Sequence, residues 1–265
     1  MNSEVQFPAN SVLDWYKGAE RMLVDFLRYV PYCDAHEQVW SPKLVTILQE
    51  TCSQLDSLWR WEATNIHKRN DKEVDITDYF ELYGAQVSSR WLVFWADEPK
   101  TIKPFSSWQN TSTFSKGEYT NHLLDWWKEG YQKIKHSRVE NRCCATLKRT
   151  VESLAGLFLA IIRCERCWNA LWEKHWMSWD DSGGTPFDPL NCLKEDYGLL
   201  ENENRCGVMH MAIDSKLFTY PVGLCTGLVT RHKRWPRWKG NCSNRFKAWY
   251  YNYCQSTTMD VTSAN

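Results

Sequence analysis

Apolar residues recur every three to four positions through most of the first 180 residues, with polar residues between them. That is the spacing of helices that bury one face. Leu13, Tyr16, Ala19, Leu23, Phe26 and Val30 form one such line, opened at Ser11 and Asp14 and closed by Pro31. Ser41-Pro42 joins a capping residue to a proline at the first helical position. The helix it predicts carries Leu44, Leu48, Cys52, Leu55 and Trp59 inward and runs to about Ile66. The polar stretch N-I-H-K-R-N-D-K-E-V-D (65–75) predicts a loop. A third helix, capped by Asp78, puts Tyr79, Leu82, Tyr83, Val87, Trp91 and Phe94 on its apolar side. The aromatic content of 90–95 suits a strand as well.

Positions 99–117 are rich in Pro, Ser and Thr and read as a long ordered loop, ending in the capping-box pattern Ser115-x-x-Glu118. In the helix that follows, Leu123, Trp127, Tyr131 and Ile134 lie within about 40° of one line at 100° per residue. Asp125, Glu129, Gln132 and His136 fall on the opposite side. A further helix over 145–179 turns Leu147, Val151, Leu154, Phe158, Ile161 and Ile162 inward, with a break near 164–168. D-S-G-G-T-P (181–186) marks a boundary, since two glycines and a proline stop regular structure. Beyond it, K-L-F-T-Y-P-V-G-L-C-T-G-L-V-T-R (216–231) has the residues of short strands with glycine turns. The pattern predicts a mainly α protein: a helical bundle over 11–180 and a smaller, irregular α+β appendix over 181–265.

Composition narrows the class. Hydrophobic residues at 43% and charged residues at 24% belong to a folded chain of 265 residues. A formal net charge of zero excludes a uniformly basic nucleic-acid binder and leaves room for local basic patches. The 16 Trp predict aromatic-rich helix packing, each indole N–H seeking an acceptor. The opening M-N-S-E-V-Q-F-P-A-N-S lacks a basic stretch followed by an apolar core, so no secretory signal is expected. The longest apolar run, 154–162, is far short of the roughly 20 residues of a membrane span. Eleven Cys in such a chain read as reduced thiols, so a cytoplasmic, non-membrane protein is expected.

Candidate chemistry centres on W-W-K-E-G-Y-Q-K-I-K-H-S-R (126–138) and the basic turn after it. A histidine suits general acid/base work at neutral pH. The cations Lys133, Lys135, Arg138 and Arg142 would draw a phosphodiester to His136 and stabilise charge on its oxygens. These residues resemble the motif of the HEPN (higher eukaryotes and prokaryotes nucleotide-binding) superfamily: an arginine, often followed by a polar residue, and four to six residues later a histidine. Aligned on His136, the polar position falls on Gln132 and the arginine position on Tyr131, while Arg138 stands two residues past the histidine. The resemblance covers 121–163, including the long apolar helix after the motif.

The resemblance implies a HEPN-like bundle and an RNA-cleaving or RNA-binding protein of a toxin or antiviral-defence system. His136 would be the general base or acid, Arg138 with Lys135 or Arg142 would hold the phosphate, and Gln132 would orient the histidine or the substrate. No metal or cofactor enters that scheme. The partners implied are RNA and either a second copy, two motifs facing a shared cleft, or a defence-system partner protein. The alternative is a catalytically inactive interaction module that dimerises or binds a partner through the same bundle.

A second basic segment, R-H-K-R-W-P-R-W-K (231–239), interleaves Arg231, Lys233, Arg234, Arg237 and Lys239 with Trp235 and Trp238. Indoles stack on bases while cations track phosphates, so the segment suits single-stranded nucleic acid. Zinc-compatible spacings occur at Cys164-x-x-Cys167 with His175, at Cys33-x-x-His36 and at Cys206 with His210. No second Cys-x-x-Cys pair completes a site, and the cysteines are read as buried thiols. Phosphate-loop, dinucleotide-binding, nucleophile-elbow and H-E-x-x-H patterns do not occur.

Overall fold

The computed structural model describes residues 7–71, 74–87, 93–95, 101–108, 124–174 and 215–219, and these are mostly helical. They fall into two compact units, one spanning 7–87 and 102–161, the other containing 93–95, 101, 162–174 and 215–219. The boundary read at 181–186 lies outside the described residues.

Helix α1, Ala9–Leu27, begins two residues before the expected Ser11. Its first turn is closed by the Val12 amide on the Pro8 carbonyl at 3.1 Å. A proline costs nothing there, because the amide it lacks would find no partner in a first turn. Leu13, Tyr16, Ala19 and Leu23 are buried as the periodicity requires, joined by Val12 and Glu20. Phe26, one residue from the helix end, and Val30, beyond it, are only half-buried, since the helix stops at Leu27. Proline disfavours helical geometry in the residue before it, which sets Pro31 against a helix running through Val30.

Helix α2, Pro42–Asn65, packs against α1 and is the central element of the first unit. The Ser41 hydroxyl accepts from the Leu44 amide at 3.3 Å, the cap that Ser41-Pro42 predicts. Leu44, Leu48, Cys52, Leu55 and Trp59 are all buried, each worth about 1.5–3 kcal/mol if large and apolar. The loop after α2 is held by Arg60, whose guanidinium donates to the carbonyls of Asp71 at 2.6 Å and Val74 at 3.0 Å.

Helix α3, Ile76–Val87, starts on Asp75 rather than Asp78. The Asp75 carboxylate accepts from the Thr77 amide at 2.7 Å, and Asp78 reaches back to the Asp75 amide at 3.0 Å. Asp78 is thus the return arm of a capping box, not the cap.

The aromatic packing implied by the tryptophans centres on Trp59. Its ring lies 5.4 Å from Tyr79, 5.5 Å from Tyr83, 5.7 Å from Phe105 and 6.0 Å from Trp108. Trp126 donates its indole N–H to the Pro104 carbonyl at 2.8 Å. The indole nitrogens of Trp108 and Trp127 are buried with no acceptor among the described residues.

Helix α5, Leu147–Arg163, buries every residue expected to face inward, and also Ala155, Leu157, Leu159 and Ala160. Its polar face is confined to the start of the helix, where Lys148, Arg149 and Glu152 are half-buried. The expected break falls at Cys164, after which α6 runs Glu165–Glu173. In the second unit, β1 (Val93–Trp95) pairs antiparallel with β3 (Phe218–Thr219), Trp95 opposite Phe218. The short β2, Thr101–Ile102, completes a sheet of order β2-β1-β3. Phe94 thus lies in a strand, the alternative read for 90–95, and not on α3, which ends at Val87; β3 falls within the strand-rich 216–231, the rest of which lies outside the described residues. Among the described residues, no helix is long and apolar enough to cross a membrane.

Candidate nucleic-acid interface

The stretch that carries His136 opens as a π-helix, Trp126–Gln132, and ends as one α-turn, α4, Lys133–His136. The apolar spacing predicts an α-helix throughout. A π-helix bonds each amide to the carbonyl five residues back, so adjacent bulky residues can share its inner face. Trp126, Trp127, Gly130, Tyr131 and Ile134 are all buried. Gly130 permits this packing: a Cβ there would stand 3.1 Å from Leu48 Cδ2 and 3.4 Å from Arg149 Cδ. Trp127, Tyr131 and Ile134 face inward as predicted, while Leu123 lies outside the described residues.

The opposite stripe is solvent-facing: Asp125 and His136 are exposed, Glu129 and Gln132 half-buried. Neither of its acids stands as an uncompensated charge. Arg149, from α5, donates Nε to Asp125 Oδ2 at 2.8 Å and Nη2 to Oδ1 at 3.2 Å. Its third nitrogen, Nη1, donates to the Cys144 carbonyl at 3.1 Å. Glu129 pairs with Lys133 one turn on, and that hydrogen bond holds its carboxyl below the usual range. Two acids that would repel phosphate are thereby neutralised from within the chain.

The helix ends just past His136, where Ser137 leaves helical geometry. Asn141 folds the following turn back, donating its side-chain amide to the Lys133 carbonyl at 3.1 Å. The His136 side chain is exposed at this end and makes no hydrogen bond or ion pair with another described residue. The expected arginine does not sit on it. Arg138 donates Nη2 to Thr46 Oγ1 on α2 at 3.3 Å. Arg142 donates Nη1 to the Val139 carbonyl at 2.7 Å and stacks over Trp40, its Cζ 5.7 Å from the ring centre. Lys135 lies over Tyr131 at 5.4 Å.

Lys133, Lys135, His136, Arg138 and Arg142 are thus exposed along one short segment, three of them steadied by contacts that leave their charge facing water. Arg231, Lys233, Arg234, Trp235, Arg237, Trp238 and Lys239 lie outside the described residues, as do His175, Cys206 and His210.

Three participants escaped the sequence reading. Trp40 joins the site because the segment around it pairs with the start of α5: the Leu147 amide bonds the Val39 carbonyl at 2.7 Å and Trp40 bridges Thr146. Arg149 and Glu152 lie on one face of α5, a relationship visible in their i, i+3 spacing. Burial pushes the Glu152 carboxyl up to about 7; Lys148 opposes the shift, and Asp125 and Glu37 add to it.

The cysteines divide. Cys52, Cys164 and Cys167 are buried thiols as expected, but Cys33 and Cys144 are half-buried and Cys143 is exposed. Cys33 Sγ lies 3.4 Å from His36 Nδ1, which also donates to the Pro31 carbonyl at 2.8 Å. Among the described residues, no three His, Cys, Asp or Glu side chains gather as metal ligands.

Comparison of the chain with protein-family models, with curated proteins and with solved structures finds no match.

Proposed function

We propose that this chain is a HEPN-like RNA-binding protein of a toxin or antiviral-defence system, with the cationic segment 133–142 as its RNA surface. His136 is its acid/base group for metal-independent cleavage. The observation that carries the reading is the neutralised stripe. Asp125 and Glu129 are each engaged by a cation, leaving Lys135, Arg138 and Arg142 exposed on the same short segment as His136, with their charge available to a phosphate.

In this reading His136 takes the proton of a 2′-hydroxyl, and a guanidinium holds the charge that develops on the phosphoryl oxygens. Arg138 fills that role when RNA displaces its single hydrogen bond to Thr46, or an arginine of a second copy does so across a shared cleft. Gln132, one turn back, orients the histidine or the RNA. The test is an RNA-cleavage assay in EDTA comparing wild type with His136→Ala. Loss of cleavage in the variant is the expected result, and equal activity in both proteins removes His136 from the chemistry.

One observation favours a second reading, that of a catalytically inactive interaction module. Val139 is 75% exposed and Trp40 41% exposed, and Arg142 bonds the carbonyl of the one and stacks over the ring of the other. Exposed apolar side chains around an arginine resemble the anchors of a protein interface. Absence of cleavage together with dimerisation lost in Val139→Asp would establish this reading instead.

A further inference from the structure

Cys143 and Cys144 occupy the end of a single 3-10 turn, Arg142–Cys144, between the basic segment and α5. Their backbone is fixed. The Cys144 amide bonds the Asn141 carbonyl at 2.9 Å, and the Cys144 carbonyl accepts from the Thr146 amide at 3.0 Å and from Arg149 at 3.1 Å. Both thiols are free, Cys143 exposed and Cys144 half-buried, and they stand on consecutive residues of the turn. Sequence neighbours have Cα atoms about 3.8 Å apart, below the roughly 4.4–6.8 Å that disulfides usually span. A direct sulfur–sulfur bond therefore strains the turn, whereas a larger atom set between the sulfurs does not.

We propose that Cys143 and Cys144 form a dithiol site for a trivalent arsenic centre. Tetrahedral zinc needs four ligands, and among the described residues no third Cys, His, Asp or Glu joins this pair. An organoarsenical supplies its third substituent itself and needs only two sulfurs. The step is a condensation: R–As=O and two thiols give R–As(S)2 and water. Two S–H bonds break, two As–S bonds form, the oxide leaves as water with both protons, and arsenic stays trivalent. Thiolate is the attacking form. The exposed Cys143 attacks first. Burial, helped by Cys143, holds the Cys144 thiol up, while Lys133 and Arg149 act in the opposite direction. Cys144 then closes the ring as an intramolecular nucleophile at high effective concentration.

The test uses the full chain, reduced and desalted, treated with one equivalent of phenylarsine oxide, then alkylated and mapped by peptide mass. Cys143 and Cys144 should both be protected from alkylation by at least about tenfold, with protection surviving a monothiol wash and reversed by a dithiol. In Cys143→Ser, protection of Cys144 should become monothiol-labile. Unchanged alkylation of Cys143 in wild type, protection confined to other cysteines, or monothiol-resistant protection of Cys144 in Cys143→Ser would each overturn the assignment.

Discussion

Arg149 grips Asp125 with two parallel hydrogen bonds, Nε to Oδ2 at 2.8 Å and Nη2 to Oδ1 at 3.2 Å. The pair fastens the start of the π-helix to α5, and it leaves Arg149 with its third nitrogen on the Cys144 carbonyl. Fork-to-fork geometry makes such pairs stronger than simple ion pairs, while the 57% exposure of the Asp125 side chain screens this one. A double-mutant cycle with Asp125→Ala and Arg149→Met should give a coupling of about 1 kcal/mol by denaturant unfolding. Additive single losses would mean that the clasp contributes nothing beyond its parts.

Gly130 and Gly18 should respond to alanine with opposite signs. Alanine favours a helix position over glycine by about 1 kcal/mol, and a Cβ at the half-buried Gly18 meets nothing within 4 Å. At Gly130 the same Cβ meets Leu48 Cδ2 at 3.1 Å, and Leu48 is fully buried and has little room to give way. Overpacking of this kind costs about 1–3 kcal/mol. Thermal unfolding should place Gly18→Ala above wild type and Gly130→Ala below it. A stabilised Gly130→Ala would mean that the close approach to α2 is looser than its geometry.

These two glycines also show what the chain discloses of its own fold. The helical character of 11–27, 42–65 and 147–173 is legible because burial on one face repeats locally, and Ser41 caps α2 through a contact three residues away. Boundaries slip where two residues can serve one role: Asp75 and Asp78 both look like caps, and only the loop geometry separates them. The π-helix leaves little trace, since Trp127, Tyr131 and Ile134 fit α spacing equally well. Only the burial of Trp126 and Gly130 distinguishes it. The site was half legible. His136 and its cations are neighbours in sequence, but Arg138 finds Thr46 across 92 residues and Arg149 finds Asp125 across 24. No periodicity encodes contacts at that separation.

Glu152 makes folding depend on pH. Burial raises its carboxyl to about 7, from an ordinary value of 4.5. The folded state thus binds this proton more tightly than the unfolded state, so its contribution is full below pH 4.5 and is lost as pH rises through 7. Glu152→Gln keeps the neutral shape and removes the titration. The stability difference between variant and wild type should grow in favour of the variant by about 1–2 kcal/mol between pH 4.5 and pH 8. Denaturant midpoints across that range measure it, and a difference independent of pH would show that Glu152 ionises without cost in the fold.

Lys135, Arg138 and Arg142 allow the proposed RNA surface to be tested separately from its chemistry. Each is exposed, and their contacts are a ring face, one hydroxyl, and a carbonyl with an indole. Exposed substitutions of this kind change stability by no more than about 0.5 kcal/mol, so a binding defect in the variants can be read without correcting for unfolding. Each phosphate contact on single-stranded RNA contributes about 0.7 to the slope of log affinity against log salt. The triple variant Lys135→Ala, Arg138→Ala, Arg142→Ala should therefore flatten that slope by about 2, measured by fluorescence anisotropy with a single-stranded RNA between about 50 and 200 mM salt. His136→Ala should leave the slope nearly unchanged while abolishing cleavage, because an acid/base group acts on the reacting proton and not on the counterion atmosphere. An unaltered slope in the triple variant would move RNA binding away from this segment, even if His136→Ala had already lost cleavage.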